Sequence, residues 1–283
     1  MAIAMMLAAF ACFTALDSSA KWLVTTGFSP WAAVFARYAV HLAIVAAIIV
    51  PQQGVNALSS RAPATETLRA GLLLASTMCN FTAVQFLPLT LTATIFFTIP
   101  IFVTILSIPI LGEQVGWRRW AAIGVGFLGI LVVTRPWAES FHWAMLIAVL
   151  AALCASVYQI LTRKLAGVDS AHTQQFYAGL VATLGIAPLA WLHWQTPDGW
   201  LTWVLFLTMG IFGWLGHQML TVAHRYAPAS LLAPFVYVQL LYMTASSWLI
   251  FSQPPTRWIL LGAPIVMASG FYIWWRERQL KSA

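Results

Sequence analysis

The sequence contains few charged residues and few cysteines, and these two shortages exclude several classes of protein. Only 7% of its 283 residues are charged, against about 25% in an ordinary soluble domain. The three cysteines, Cys12, Cys79 and Cys154, lie inside apolar runs and form no CxxC pair. This spacing argues against a disulfide framework or a zinc site. We therefore interpret the cysteines as small packing residues.

The sequence also lacks the motifs of membrane enzymes and ATP-driven pumps. It contains no Walker A loop, no HExxH and no GxSxG. Residues 18–21 spell SxxK, but the partner motifs of that enzyme class are absent. Lys21 and Lys164 lie at the ends of apolar runs, whereas a photoreceptor needs a lysine in the middle of the membrane. We expect no enzyme activity, no cofactor and no metal.

What the sequence has in abundance is long apolar runs. Hydrophobic residues make up 61% of the chain, and runs near 20 residues are long enough to cross a hydrocarbon core about 30 Å thick. The runs are continuous rather than alternating, which excludes a β-barrel. We predict an all-α polytopic membrane protein embedded in a lipid bilayer, with ten transmembrane helices. The predicted spans are 3–24, 31–50, 68–87, 89–111, 117–134, 142–163, 170–192, 200–223, 229–251 and 257–275.

The net charge of +7 does not indicate a nucleic-acid partner, because the basic residues mark the ends of apolar runs instead of clustering. Such residues orient membrane proteins, since cytoplasmic loops carry the excess of Lys and Arg. With the N-terminus inside, ten of the 14 Lys and Arg residues fall on the inner side. We predict a bacterial inner-membrane protein with both termini in the cytoplasm. The four outer or membrane-embedded basic residues are Lys21, Arg37, Arg135 and Arg257.

The chain contains a weak internal repeat at a constant offset of 140 residues. A spaced self-match indicates a duplicated unit, and in an apolar chain it indicates a transporter built from two halves. Five spans in each half would make the halves inverted. We predict two inverted five-helix repeats, 1–135 and 136–283, within one membrane domain. The matching pairs are Pro88 with Pro228, Thr90 with Ser230, Leu91 with Leu231, Ala93 with Ala233 and Phe97 with Tyr237.

The end of the fourth span and the start of the fifth carry a family resemblance. The Leu-Gly-Glu turn at 111–113, the Trp-Arg-Arg-Trp run at 117–120 and a glycine-studded fifth span resemble the drug/metabolite transporter superfamily. Within it the chain is similar to EamA-type exporters, among them the bacterial aromatic amino acid exporter. The resemblance implies a cavity lined by spans one to four and six to nine. It implies that spans five and ten lie outside the cavity, at a homodimer contact.

Polar residues inside the first two spans are candidates for substrate binding or coupling, because a polar group in hydrocarbon needs a partner or a wet cavity. Asp17 is the one acid well inside a span, and Lys21 lies one helical turn away. Asp17 is either a proton or amine site or half of a structural ion pair. Arg37, beside Tyr38 and one turn before His41, either binds a substrate carboxylate or extends to the outer interface.

The fourth span carries threonines on one helical face, at Thr90, Thr94 and Thr98, with Phe97 alongside. Pro100 removes a backbone hydrogen bond, so we expect a kink there. These hydroxyls either line a moving wall of the cavity or bond to neighbouring helices and to their own backbone. The related residues of the ninth span are Pro234, Tyr237 and Gln239.

Aromatic and amide side chains in other spans suit a zwitterion with a flat side chain. Our candidates are Asn80 in span three, the dipeptide Tyr158-Gln159 in span six, and Trp214 with His217 in span eight. Ring faces can also attract an ammonium group. Tryptophans near span ends are better interpreted as membrane-interface anchors. His217 is either a proton carrier or a packing residue.

Glu113 lies in the predicted inner turn near Arg118 and Arg119, where it can pair structurally and help close an inner gate. Together these features predict a secondary transporter that exports amino acids, aromatic ones included, by alternating access. A channel-like facilitator and a multidrug or metabolite exporter remain alternatives. The coupling ion stays open, with Asp17 and His217 as candidate proton carriers.

Overall fold

The structure is a computed structural model that describes residues 1–54, 59–111, 116–165, 168–197, 199–226, 235 and 238–282. It confirms the all-helical membrane fold, and among the described residues seven stretches are long and apolar enough to cross a membrane. The helices are α1 Ala2–Thr25, α2 Pro30–Gln53, α3 Pro63–Phe86, α4 Leu89–Phe96, α5 Ile99–Leu111, α6 Trp117–Thr134, α7 Ala144–Lys164, α8 Ala171–Leu192, α9 Trp200–Tyr226, α10 Val238–Leu249 and α11 Arg257–Ser282.

The fourth predicted span is broken in its middle into α4 and α5. The N–H groups of Phe97 and Thr98 bond to carbonyls three residues back, at Thr94 and Ile95, which is the tighter 3₁₀ pattern. Pro100 follows at the start of α5 and has no N–H to continue the α-helical ladder. The kink expected from this proline is therefore a complete interruption of the helix.

Six helices surround the polar interior of the bundle. Helix α1 packs along α9, α3 packs along α7, and α2 contacts both α8 and α9. Helix α3 also contacts α8, which ties the first part of the chain to the second. The broken pair α4 and α5 packs against α7, and α10 packs against α1 and α4.

Helices α6 and α11 pack chiefly on each other at the side of the bundle. Glycines allow their backbones to approach, because a Cβ at Gly262 would lie 2.4 Å from Val133 Cγ2 and 2.7 Å from the Gly129 carbonyl oxygen. Close helix packing through small residues is typical of membrane bundles. These glycines serve a contact inside the chain, and the homodimer through α6 and α11 stays a prediction.

Candidate substrate site

Five polar side chains from α1, α2 and α3 form what we call the central polar cluster: Asp17, Arg37, Tyr38, Thr77 and Asn80. Asn80 Nδ2 donates to Asp17 Oδ1 at 3.2 Å. Arg37 donates to Thr77 Oγ1 at 3.2 Å, and the Tyr38 and Thr77 hydroxyls are 2.7 Å apart. The cluster thus contains one acid and one base, and each is hydrogen-bonded to a neutral partner.

Arg37 lies inside the bundle and does not extend to the outer interface. It is seven residues into α2, about 10 Å from the helix end at 1.5 Å per residue. Its guanidinium carbon is 5.0 Å from the ring centre of Tyr38 and 5.7 Å from that of the fully buried Phe81. Aromatic faces attract such a cation. The alternative that placed Arg37 at the membrane interface is therefore wrong.

Lys21 does not pair with Asp17, although the two lie one helical turn apart on α1. Its Nζ donates to the Leu87 carbonyl at 2.6 Å and to the Val84 carbonyl at 3.2 Å. The Val84 carbonyl lacks a helical donor because the residue four positions later is Pro88, which has no N–H. Lys21 supplies that missing bond, and Asp17 instead accepts a hydrogen bond from Asn80.

On the α9 side, His217 and Trp214 face different surroundings. The His217 ring lies against Phe13 of α1 with centroids 5.0 Å apart. Gly216 makes room for this contact, since a Cβ there would lie 2.7 Å from the Phe13 ring. Trp214 lines a cavity of about 30 Å³. A cavity of this size holds roughly one or two waters, so it is too small for an organic solute. The cavity is lined by Val45, Ile48, His172, Gln175, Trp214 and Gln218.

The candidate residues of the broken span bond mainly to their own helix. The Thr94 hydroxyl donates to the Thr90 carbonyl at 2.8 Å, and the Thr98 hydroxyl donates to the Ile95 carbonyl at 2.6 Å. Both threonines are buried. Phe97 packs in an apolar cluster with residues of α6 and α11, at the side of the bundle. A role for these residues in the substrate path stays a prediction.

The remaining candidates are scattered. The Tyr158 ring lies under the Arg69 guanidinium, 5.1 Å from it, and the neighbouring Gln159 is exposed. Gln239 is half-buried on α10. Two candidates, Tyr237 and Glu113, lie outside the described residues.

Sequence reasoning missed three buried polar residues of α3. Thr77 joins Arg37 to Tyr38, and its spacing of three residues from Asn80 placed it on the same helical face. Glu66 and Arg69 are 0% and 2% exposed and form the one close ion pair in the described part of the chain, at 2.8 Å. Their spacing of three residues was the available signal, but Glu66 lay in the predicted loop 51–67.

The sequence profile of the EamA-like transporter family matches residues 1–135 and again residues 142–275. The chain belongs to the EamA-like transporter family. It is therefore a multi-pass membrane transporter, and the part of the resemblance that named this family is confirmed. A solved crystal structure that covers 96% of this chain, and is itself covered to 98%, shares the fold with a TM-score of 0.65 at 17% identity.

Several relatives are named for substrates other than aromatic amino acids. The S-adenosylmethionine uptake transporter of Rickettsia felis is 31% identical over 95% of this chain and 90% of its own length. The riboflavin transporter of Vibrio cholerae is 35% identical over 62% of this chain and 59% of its own length. The pseudopaline exporter CntI of Pseudomonas aeruginosa is 26% identical over 68% of each chain. These relatives do not support the narrower resemblance to an aromatic amino acid exporter.

Proposed function

We propose that this EamA-family transporter carries S-adenosylmethionine, or a solute with the same amino acid head and flat ring, into the cell. The observation that carries the proposal is the pair of opposite charges in the central polar cluster. Asp17 and Arg37 are held by Asn80 and Thr77 and not by a close ion pair between them. Each can therefore pair with the oppositely charged group of a zwitterion.

The chemistry of S-adenosylmethionine fits these groups. Its carboxylate suits the Arg37 guanidinium, which binds carboxylates through two parallel hydrogen bonds. Its ammonium or sulfonium group suits Asp17, and its adenine ring suits the face of an aromatic side chain such as Trp214. The relatives do not support the amino acid substrates expected from the sequence, and the proposal keeps only an amino acid head group on the solute. The relatives named for S-adenosylmethionine uptake support this substrate and the inward direction.

We infer that transport proceeds by alternating access between two inverted repeats, 1–135 and 136–283. The two matches to the family profile support this division. The helix contacts are also paired as a twofold repeat requires. Helix α1 packs on α9 as α7 packs on α3, and α2 contacts α9 as α8 contacts α3. Rocking of one repeat against the other would expose a site near the midplane to each side in turn. Placing both termini in the cytoplasm of a bacterial inner membrane follows from the positive-inside rule.

The test is uptake of labelled S-adenosylmethionine into proteoliposomes, with unlabelled competitors. We expect saturable uptake that is inhibited by S-adenosylmethionine, less by its decarboxylated analogue, and not by riboflavin or tryptophan. Riboflavin is included because the Vibrio cholerae relative carries that name. Saturable uptake of riboflavin or tryptophan without uptake of S-adenosylmethionine would show that the proposal is wrong.

Two substitutions link the substrate to the cluster. Arg37→Gln and Asp17→Asn each remove one charged hydrogen-bonding partner, which weakens apparent affinity by about tenfold to a hundredfold. Arg37→Gln should also abolish the preference for S-adenosylmethionine over its decarboxylated analogue, since that analogue lacks the carboxylate. The matched controls are the exposed residues Arg257 and Glu139, changed to Gln. If Arg37→Gln retains the preference, Arg37 does not bind the carboxylate.

A further inference from the structure

The guanidinium of Arg37 is hydrogen-bonded at only one of its nitrogens. Nη1 donates to Thr77 Oγ1 at 3.2 Å, and among the described residues this is the one hydrogen bond of the Arg37 side chain. A guanidinium carries five N–H donors in a fixed, planar fork. Nε and Nη2 therefore have donors that another acceptor can use.

The hydrogen bonds of Thr77 show that its hydroxyl is an acceptor towards α2. A threonine hydroxyl has one hydrogen to donate and two lone pairs that accept. The hydrogen goes to the Leu73 carbonyl of the same helix, at 2.9 Å. The lone pairs accept from Arg37 Nη1 at 3.2 Å and from the Tyr38 hydroxyl at 2.7 Å. Thr77 therefore has no donor or acceptor left for a solute.

The other arrangement of the two hydroxyl hydrogens is weaker. In it, Thr77 would donate to Tyr38, and Tyr38 would donate to the Leu73 carbonyl at 3.5 Å. Hydroxyl hydrogen bonds are usually about 2.5–3.0 Å long, so a good bond to Leu73 would be exchanged for a poor one. In either arrangement Thr77 Oγ1 accepts from Arg37, because a guanidinium has no acceptor atom.

The Nε side of the guanidinium faces α9, in the second part of the chain. A Cβ added at Gly213 of α9 would lie 3.6 Å from Arg37 Nε. Gly213 has no side chain, so it brings no side-chain acceptor to this donor. Because Thr77 occupies Nη1, the two neighbouring donors that remain are Nε and Nη2. Such a pair binds a carboxylate through two parallel hydrogen bonds.

We propose that Thr77 is a positioning residue, which holds Nη1 of Arg37 and thereby presents Nε and Nη2 to the carboxylate of the transported solute. The holding of Arg37 follows from the contacts above, whereas the carboxylate rests on the proposed function. An arginine that is ordered before the solute arrives loses less conformational entropy on binding. Loss of the Thr77 hydroxyl should therefore weaken binding of a carboxylated solute by about twofold to tenfold.

The first test observes Arg37 in the purified full-length protein and needs no substrate. With ¹⁵N-labelled arginine, the side-chain NMR signals of Arg37 are those that Arg37→Gln removes. We expect separate signals for Nη1 and Nη2 in the wild type and in Thr77→Ser, which keeps the hydroxyl. In Thr77→Val, rotation of the released guanidinium should merge them. Signals that stay separate in Thr77→Val, or that are already merged in the wild type, overturn the proposal.

A double variant and a matched control accompany this test. Thr77→Val leaves the buried Tyr38 hydroxyl without its partner, which costs stability. Thr77→Val combined with Tyr38→Phe removes both hydroxyls, and it should show the same merged signals. The control is Thr134→Val on α6, at the side of the bundle, because Thr134 is also buried and donates to its own helix, at 2.8 Å. Merged signals in this control overturn the proposal.

The second test measures selectivity in proteoliposomes, with S-adenosylmethionine and its decarboxylated analogue as competitors. Thr77→Val should reduce the preference for S-adenosylmethionine by about twofold to tenfold, because only the solute with the carboxylate uses the held edge of Arg37. Thr77→Ser should restore the preference. A purely structural defect would lower the maximal rate and leave the preference unchanged. An unchanged preference in Thr77→Val overturns the proposal.

Failure of the proposed function gives a different result. If the wild type transports another solute that has a carboxylate, the S-adenosylmethionine assignment is wrong. That solute and its carboxamide then serve as the two competitors, and the same outcomes decide the role of Thr77. If the wild type transports no solute with a carboxylate, the proposal is overturned, even where the NMR signals show that Thr77 holds Arg37.

Discussion

The two ends of α3 each hold a buried cation, but the two cations have different partners. At the C-terminal end, Lys21 is 1% exposed and donates to the carbonyls of Val84 and Leu87. At the N-terminal end, Arg69 is 2% exposed and pairs with the Glu66 carboxylate. Each cation also lies against an aromatic ring, Phe251 for Lys21 and Tyr158 for Arg69.

The difference follows from the helix itself. A helix C-terminus carries unsatisfied carbonyls and attracts cations, whereas its N-terminus favours an acid in the first turn. Pro88 has no N–H and therefore leaves the Val84 carbonyl at the C-terminal end without a helical donor. Glu66 occupies the first turn of α3. Backbone carbonyls do not titrate and carboxylates do. The partners of Lys21 therefore cannot titrate, whereas the partner of Arg69 is a carboxylate that can gain a proton.

The largest effect should come from Arg69→Met. It leaves the buried Glu66 without its cation, and breaking a buried pair costs about 3–5 kcal/mol. Without Arg69 the folded state binds a proton on Glu66 more tightly than the unfolded state does, so the stability of the variant falls as pH rises and recovers as pH falls. Thermal unfolding in detergent at neutral and acidic pH measures this, with the exposed Arg61→Met as control. An equal loss at both pH values would contradict the comparison.

A smaller effect is expected from Lys21→Met at the opposite end. The substitution leaves the carbonyls of Val84 and Leu87 without their side-chain donor, which costs about 1–3 kcal/mol. Because carbonyls do not titrate, the loss should be the same at neutral and acidic pH. The same unfolding assay tests this, with the exposed Lys164→Met as control. Recovery of Lys21→Met at acidic pH would remove the distinction between the two ends.

The rings beneath the two cations should contribute less. Tyr158→Leu and Phe251→Leu each remove a cation–π contact, worth about 0.5–2 kcal/mol. Tyr158→Phe keeps the ring and is the control, so it should unfold close to the wild-type temperature. The measurement is the apparent Tm of each of the three variants, compared with that of the wild type. If Tyr158→Phe is as unstable as Tyr158→Leu, the ring face is not what stabilises Arg69.

The smallest effect should come from Ser60→Ala, which removes one hydroxyl donor from Asp169, in the segment before α8. We expect a loss of about 0.5–1.5 kcal/mol, confined to the N-terminal end of α3. Hydrogen exchange of the α3 and α8 amides would locate the loss. Faster exchange around Leu87, at the far end of α3, would show that the two ends are not independent.

Particular residues show how far the sequence could predict the site. Asp17 and Arg37 were both predicted as candidates, because few charged residues lie inside the spans. Their partners were not all predicted. Nothing in the sequence distinguishes Thr77 from the other threonines of the spans, and only the packing of α2 beside α3 brings it to Arg37. Glu66 was missed because it precedes the apolar run. The helix in fact begins at Pro63, and packing against α7 and α8 buries its first turn.

The sequence by itself determined the all-helical membrane class, the approximate positions of the spans that the structure describes and a kink near Pro100. Each follows from local chemistry, since long apolar runs must satisfy their own backbone groups and proline cannot donate. Only the tertiary structure decided that Lys21 binds carbonyls of α3 instead of Asp17, and that Arg69 links Glu66 to α7 and α8. Helical periodicity specifies the face on which a side chain lies, but the helix that covers that face is chosen by packing of the whole bundle.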